Sequence, residues 1–176
     1  MAIQTKHFAP TAGGLGDGST PADPAALFSG GAWSTYLTGH NFSGGDSLVA
    51  KIQPGTYGIT ALLQSSSFTS GTPGQSNPLI VHASDTSGNI WTPPDPDWLS
   101  AMPLWDVSDM PLLQMTSTST DIFNVSYSYL RGLNCEVTGY AGNNPIGTST
   151  QFAEWCVLKN ANGGSSYGGM SAAQMR

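Results

Sequence analysis

Apolar residues in this chain come in short runs separated by long polar stretches, not in a helical period. From Ser47 the pattern is that of a strand: Leu48-Val-Ala-Lys-Ile-Gln53, with Leu48, Ala50 and Ile52 on one face. Pro54-Gly-Thr-Tyr57 then turns the chain, and Ile59, Ala61 and Leu63 fit a second short strand. Residues 64–78 form a Ser, Gly and Pro loop. Leu79-Ile-Val-His-Ala83 is the next strand, and 84–103 is an irregular stretch. Leu112–Met115, Ile122–Val125, a run from Tyr127 to Val137, and Trp155–Leu158 complete the β signals. Upstream, residues 1–22 are expected to be mostly loop. Asp23 as a cap, Pro24 in the first turn and Ala25–Phe28 predict a short helix that Gly30 and Gly31 stop. A second, weaker helical signal spans Ala32 to Leu37.

The strand starts at Leu48, Leu79, Leu112, Leu133 and Trp155 are separated by 31, 33, 21 and 22 positions. The two longer gaps hold the loop insertions. Removing them leaves a base period of roughly 20–25 residues, which is a solenoid spacing. An antiparallel sandwich, with strands every ~8–12 residues, fits less well. In a stacked solenoid Cys135 and Cys156, 21 positions apart, are expected on neighbouring rungs of one interior column.

Composition supports β structure. The 176 residues are a one-domain length with room for a real core. Only 9% are charged, against ~25% in ordinary soluble domains. Glu136 and Glu154 are the only glutamates, too few for helical surfaces. The net charge of -6 and five scattered basic residues argue against nucleic-acid binding. No window approaches the ~20 apolar residues of a membrane span, and Met1–Pro10 lacks a hydrophobic signal core. Two cysteines in such a chain are expected to be reduced and buried.

Particular runs are similar to a known family. Gly45-Asp-Ser-Leu-Val-Ala-Lys-Ile-Gln-Pro-Gly-Thr-Tyr57 resembles the first rung of right-handed parallel β-helix, pectate-lyase-like proteins, which follows a short capping helix. Asn77–Gly88, Tyr129–Val137 with its Arg-Gly-Leu corner, and Glu154–Asn160 resemble later rungs. The resemblance spans residues 11–162. It implies an all-β fold: a short right-handed parallel β-helix with an N-terminal capping helix and long loop insertions. The expected organisation is an arm at 1–22, a β-helix at 23–162 interrupted by an insertion at 84–111, and a flexible tail at 163–176. Enzymes of this family have more rungs, so the chain looks like the opening of a β-helix whose far end needs covering.

Candidate chemistry is sparse. Asp95, Asp97, Asp106 and Asp109 cluster within the insertion, yet lack the order of a calcium loop, and read as solvated loop carboxylates. Arg131 could neutralise a uronate carboxylate, but reads first as a corner residue paired with a neighbouring acid. His7, His40 and His82 are scattered, with only His82 on a predicted strand, so no metal site is expected. Cys135 is flanked by strand residues, not cations, which argues against a reactive thiolate. Trp91, Trp98, Trp105, Tyr127 and Tyr129 read first as packing, then as a subunit contact, then as a sugar platform. With Arg131 they are the candidate binding residues. No cofactor is expected.

The expected function is that of a bacteriophage virion part, a capsid decoration or a tail or fibre component acting by assembly. Its partners would be other virion proteins and copies of itself, most simply in a trimer. It would be made in the host cytoplasm and released without a signal peptide. The alternatives are the N-terminal part of a polysaccharide lyase or hydrolase, or a non-catalytic sugar-binding module.

Overall fold

Short strands with one apolar face bury that face by stacking, and here they stack in parallel. The computed structural model describes residues 2–27, 33–92, 107–116, 121–138, 145–147, 149–150 and 152–160. In chain order the elements are β1 (Ile3–Ala9), β2 (Ala25–Ala26), α1 (Thr35–Thr38), β3 (Ser47–Ile52), β4 (Thr56–Ile59), β5 (Leu63–Gln64), β6 (Leu79–Ala83), β7 (Leu112–Met115), β8 (Phe123–Asn124), β9 (Ser128–Arg131), β10 (Asn134–Val137), β11 (Phe152–Glu154) and β12 (Val157–Asn160). They form a six-stranded sheet in the order β11-β9-β6-β3-β1-β2, a four-stranded sheet in the order β12-β10-β7-β4, and the pair β5-β8. Every pairing between these strands is parallel. The fold is all-β and solenoid-like: from β3 onwards each circuit of the chain lays one strand on the six-stranded sheet and one on the four-stranded sheet above the last, while β1 and β2 both lie on the six-stranded sheet at its lower end.

Where no insertion intervenes, the repeat is regular. Leu112 pairs with Asn134, 22 positions on. Asn134 pairs with Val157, and Tyr129 with Phe152, each 23 positions on. The base period read from the sequence is thus the circuit length. The strand starts do not all mark one face, however. Leu48 and Leu79 lie on the six-stranded sheet, and Leu112 lies on the other. The gap between Leu79 and Leu112 therefore separates two faces of one circuit, not two rungs.

Inward positions line up in columns. On the six-stranded sheet these are Leu48-Leu79-Ser128 and Ala50-Val81-Leu130-Ala153. On the four-stranded sheet they are Tyr57-Leu113-Cys135-Leu158 and Ile59-Met115-Val137. Nearly all are buried, and with Leu63 and Phe123 of β5 and β8 they make one core. Two buried polar groups inside it are satisfied locally. Tyr57 Oη donates to the Gln53 carbonyl at 2.8 Å, and Ser128 Oγ to the Val125 carbonyl at 2.6 Å.

Three expectations are corrected at the N-terminus and the last rung. Residues 3–9 are not loop: β1 pairs with β3 along its length. The predicted helix at Asp23–Phe28 does not form in its described part, because Ala25 and Ala26 pair with β1 as β2. The Asp23 carboxylate points backwards, accepting from the Leu15 amide and the Thr20 hydroxyl instead of capping a helix. The short α-helix among the described residues is α1, which overlaps the weaker Ala32–Leu37 signal, with Ser34 Oγ accepting from the Tyr36 amide. Finally, Trp155–Leu158 is not one strand. A corner at Trp155-Cys156 separates β11 from β12, so the ladder partner of Cys135 is Leu158, not Cys156. Both cysteines are free thiols.

Candidate functional site

Parallel pairing in register turns outward-facing residues of successive strands into ladders about 4.8 Å per step. The outer face of the six-stranded sheet carries two. One is apolar for four rungs: Val49, Ile80, Tyr129 and Phe152, with Thr5 below. The other is His7, Lys51, His82, Arg131 and Glu154. This second ladder gathers two of the chain's five Lys and Arg residues and two of its three histidines, so basic groups scattered in sequence are concentrated in space.

A hairpin lies over the basic ladder. Ser84 bridges Ile90 in antiparallel fashion, and the Asp85 carboxylate ties the turn by accepting from the Ser87 and Asn89 amides and from Asn89 Nδ2. These hydrogen bonds hold the Asp85 carboxyl below its ordinary pKa. Lys51 Nζ donates to the Gly88 carbonyl at 2.8 Å. Gly88 has φ +83°, and a Cβ there would sit 2.5 Å from Pro21 Cγ and 2.9 Å from His7 Cε1, so the hairpin tip reaches the first rung. At the hairpin root the Trp91 amide donates to the Ala83 carbonyl, and the indole lies on Gly132.

At the upper end, Arg131 Nε is 3.4 Å from Glu154 Oε2, and its guanidinium carbon is 4.2 Å from the centre of the Trp155 ring. Trp155 presents that ring from a left-handed corner, φ +52°. Lower down, His82 sits between Lys51 and Arg131. Burial first, then the charges of Arg131 and Lys51, press its pKa down to about 4. His7 is also lowered, by burial and then by Lys51. The Nδ1 atoms of His7 and His82 are both buried, and neither has a hydrogen-bond partner among the described residues.

The predicted binding residues do not converge on one platform. Trp91 packs against the core beneath the hairpin. Tyr127 occupies the turn before β9 with φ +54°, and its carbonyl accepts from the Leu79 amide. Tyr129 is 37% exposed on the apolar ladder, its ring 6.1 Å from that of Phe152. Arg131 shares the outer face of β9 with Tyr129. Trp98 and Trp105, like Asp95, Asp97 and Asp106, lie outside the described residues. Asp109 is exposed in a short 3-10 turn. No group of three His, Cys, Asp or Glu side chains among the described residues could hold a metal ion. No helix among them is long and apolar enough to cross a membrane.

Sequence reasoning missed His7, Lys51 and Trp155 as site residues. The only signal for His7 and Lys51 was register, since the steps along their ladder are 44, 31 and 49 positions before the regular 23-residue step to Glu154. Trp155 joins from the corner after β11, through its ring contact with Arg131.

A second feature lies at the first rung. Gln4 and Lys6 stand in register with the inward positions Leu48 and Ala50, so the core ends in polar side chains there. With Thr35, Tyr36, His40 and Asn41 they line a cavity of about 290 Å³. The Lys6 ammonium is 5.0 Å from the centre of the Tyr36 ring and donates to the Asp17 carbonyl. This fits a capping rung whose outer side is polar.

Comparison with known protein families, with characterised proteins and with solved structures found no match.

Proposed function

We propose that the chain is a structural part of a bacteriophage virion, a short right-handed parallel β-helix that acts by assembly. The observation that carries the reading is the outward apolar ladder Val49, Ile80, Tyr129 and Phe152. An outward apolar residue repeated on every rung has a spacing of about 4.8 Å. Another solenoid packed alongside has that same spacing, rung for rung, whereas side chains on one face of a single extended strand repeat at about 6.6 Å. The natural partner is therefore a second solenoid, in the simplest case a copy of this chain in a trimer, with other capsid or tail proteins at the ends. The right hand follows the general preference of parallel crossover connections.

The same sheet face disfavours a catalytic role. The one arginine suited to binding a uronate, Arg131, is already engaged by Glu154 and Trp155.

Sedimentation and light scattering across a wide concentration range test the assembly reading. Self-association weakened by Tyr129→Glu, with the far-ultraviolet spectrum unchanged, is the expected result. A wild-type chain that stays monomeric throughout overturns the self-assembly reading. Mass spectrometry of purified particles tests the virion assignment, and absence of the chain from them overturns it.

A further inference from the structure

We propose that the hairpin Ser84–Trp91 is a latch released by acid: it lies closed over the basic ladder while His7 and His82 are neutral, and opens when they take up protons.

The geometry is that of a strap. The root of the hairpin lies at Ala83 and Gly132, and its tip lies at Lys51 and His7, so it crosses the strands from β9 to β1 with His82 between its ends. One charged contact holds the tip, the Lys51 ammonium on the Gly88 carbonyl. Gly88 packs on Pro21 and His7 at the tip, and the root is held by Trp91 against Gly132 and by backbone hydrogen bonds from the Ser84 amide to the Ile52 carbonyl and the Trp91 amide to the Ala83 carbonyl.

Protonation is resisted most strongly while the latch is closed, because burial adds to the fixed charges on the ladder. The groups facing His82 are Lys51 from β3 and Arg131 from β9, each one ladder step away. His7 lies beyond Lys51, and Glu154 lies beyond Arg131, to which it is already paired. The hairpin's own acid, Asp85, is spent on its turn amides. A proton on His82 would place three cations on consecutive rungs, and like charges directly opposite repel. A proton on either Nδ1 would also create a buried N–H with no acceptor among the described residues. Opening the hairpin admits water to both rings, which supplies the missing acceptor and screens the repulsion from Lys51 and Arg131.

The sign follows. The closed state binds the His82 proton with a pKa of about 4, against the ordinary 6.5 in a solvated state. Closure is therefore fully favoured above about pH 6.5 and loses ground as the pH falls towards 4, by up to about 300-fold for His82 alone. His7 acts in the same direction.

Hydrogen exchange read by mass spectrometry, with protection corrected for the intrinsic pH dependence of exchange, tests the latch on the free chain. Between about pH 7 and about pH 4.5, amides of residues 84–92 should lose at least ~10-fold in protection while those of β7 and β10 keep theirs. In His7→Gln/His82→Gln the hairpin's protection should not vary with pH. Unchanged hairpin protection in the wild type, an equal loss in the variant, or simultaneous loss across the core strands each overturns the proposal. A wild-type measurement keeps the test decisive if the variant does not fold. The His82 ring proton shift should titrate well below 6.5, and an ordinary midpoint overturns the latch.

Discussion

Gly132→Ala is the sharpest probe of how the hairpin root is seated. Gly132 follows β9 with φ +71°, where an L side chain is strained by about 1–2 kcal/mol. A Cβ there would also lie 2.9 Å from Trp91 Cε3 and 3.0 Å from Ala83 Cβ. Real Cβ atoms do not approach so closely, so the indole or the strand must shift. Overpacking of this kind costs about 1–3 kcal/mol. Gly45→Ala separates the two contributions, because Gly45 has φ +80° with nothing within 4 Å of its would-be Cβ. Gly45→Ala should thus cost about 1–2 kcal/mol and Gly132→Ala about 2–5 kcal/mol. The assay is equilibrium urea unfolding of both variants, with the m-value checked for constancy. Repeating Gly132→Ala in a Trp91→Ala background should recover about 1 kcal/mol or more of the excess, leaving the Ala83 part. Equal losses in the two single variants, or no recovery without Trp91, would refute the packing of Trp91 on Gly132 and reopen its reading as a free aromatic platform.

Tyr57→Phe removes the hydroxyl that donates to the Gln53 carbonyl in the core, and should lower unfolding stability by about 1 kcal/mol without changing the fold. Arg131 and Glu154 are 28% and 27% exposed, so a double-alanine cycle should give a coupling of only ~0.2–1 kcal/mol, shrinking with added salt; a coupling of several kcal/mol would mean a far drier site. Burial raises the Cys135 thiol well above its ordinary pKa and pushes Cys156 up to about 12. A thiol-exchange reagent at mildly alkaline pH should therefore react slowly with the native protein and with both thiols after denaturation.

Strands β3 and β6 were legible because alternation is strong where a rung has neighbours on both sides, and β7 showed only as an apolar patch. Leu48, Ala50 and Ile52, or Leu79, Val81 and Ala83, need no other signal. β1 was not legible for the converse reason. As a first rung it places Gln4 and Lys6 at inward positions beneath α1, and only Phe8 reaches the core. The corner between β11 and β12 was hidden inside an apolar run because Trp155 is bulky, and bulky residues seldom take positive φ. Site residues fared similarly. Tyr129 and Arg131 could be singled out one by one. Their ladders could not, because the steps from Lys51 to His82 and from His82 to Arg131 span 31 and 49 positions. A periodic scan sees no such repeat, and only the paired backbone shows it.

Those unequal steps have a consequence for what the fold can carry. Leu112 meets Thr56 across 56 positions on one side and Asn134 across 22 on the other, in the same register. Loop-closure entropy grows only with the logarithm of length, so the longer circuit costs about 0.8 kcal/mol more than the shorter one. The stacked strands are nearly indifferent to how much chain passes between them at a corner. A foreign peptide spliced into the corner between β6 and β7 would ride outside the frame, which makes this small solenoid a natural display scaffold.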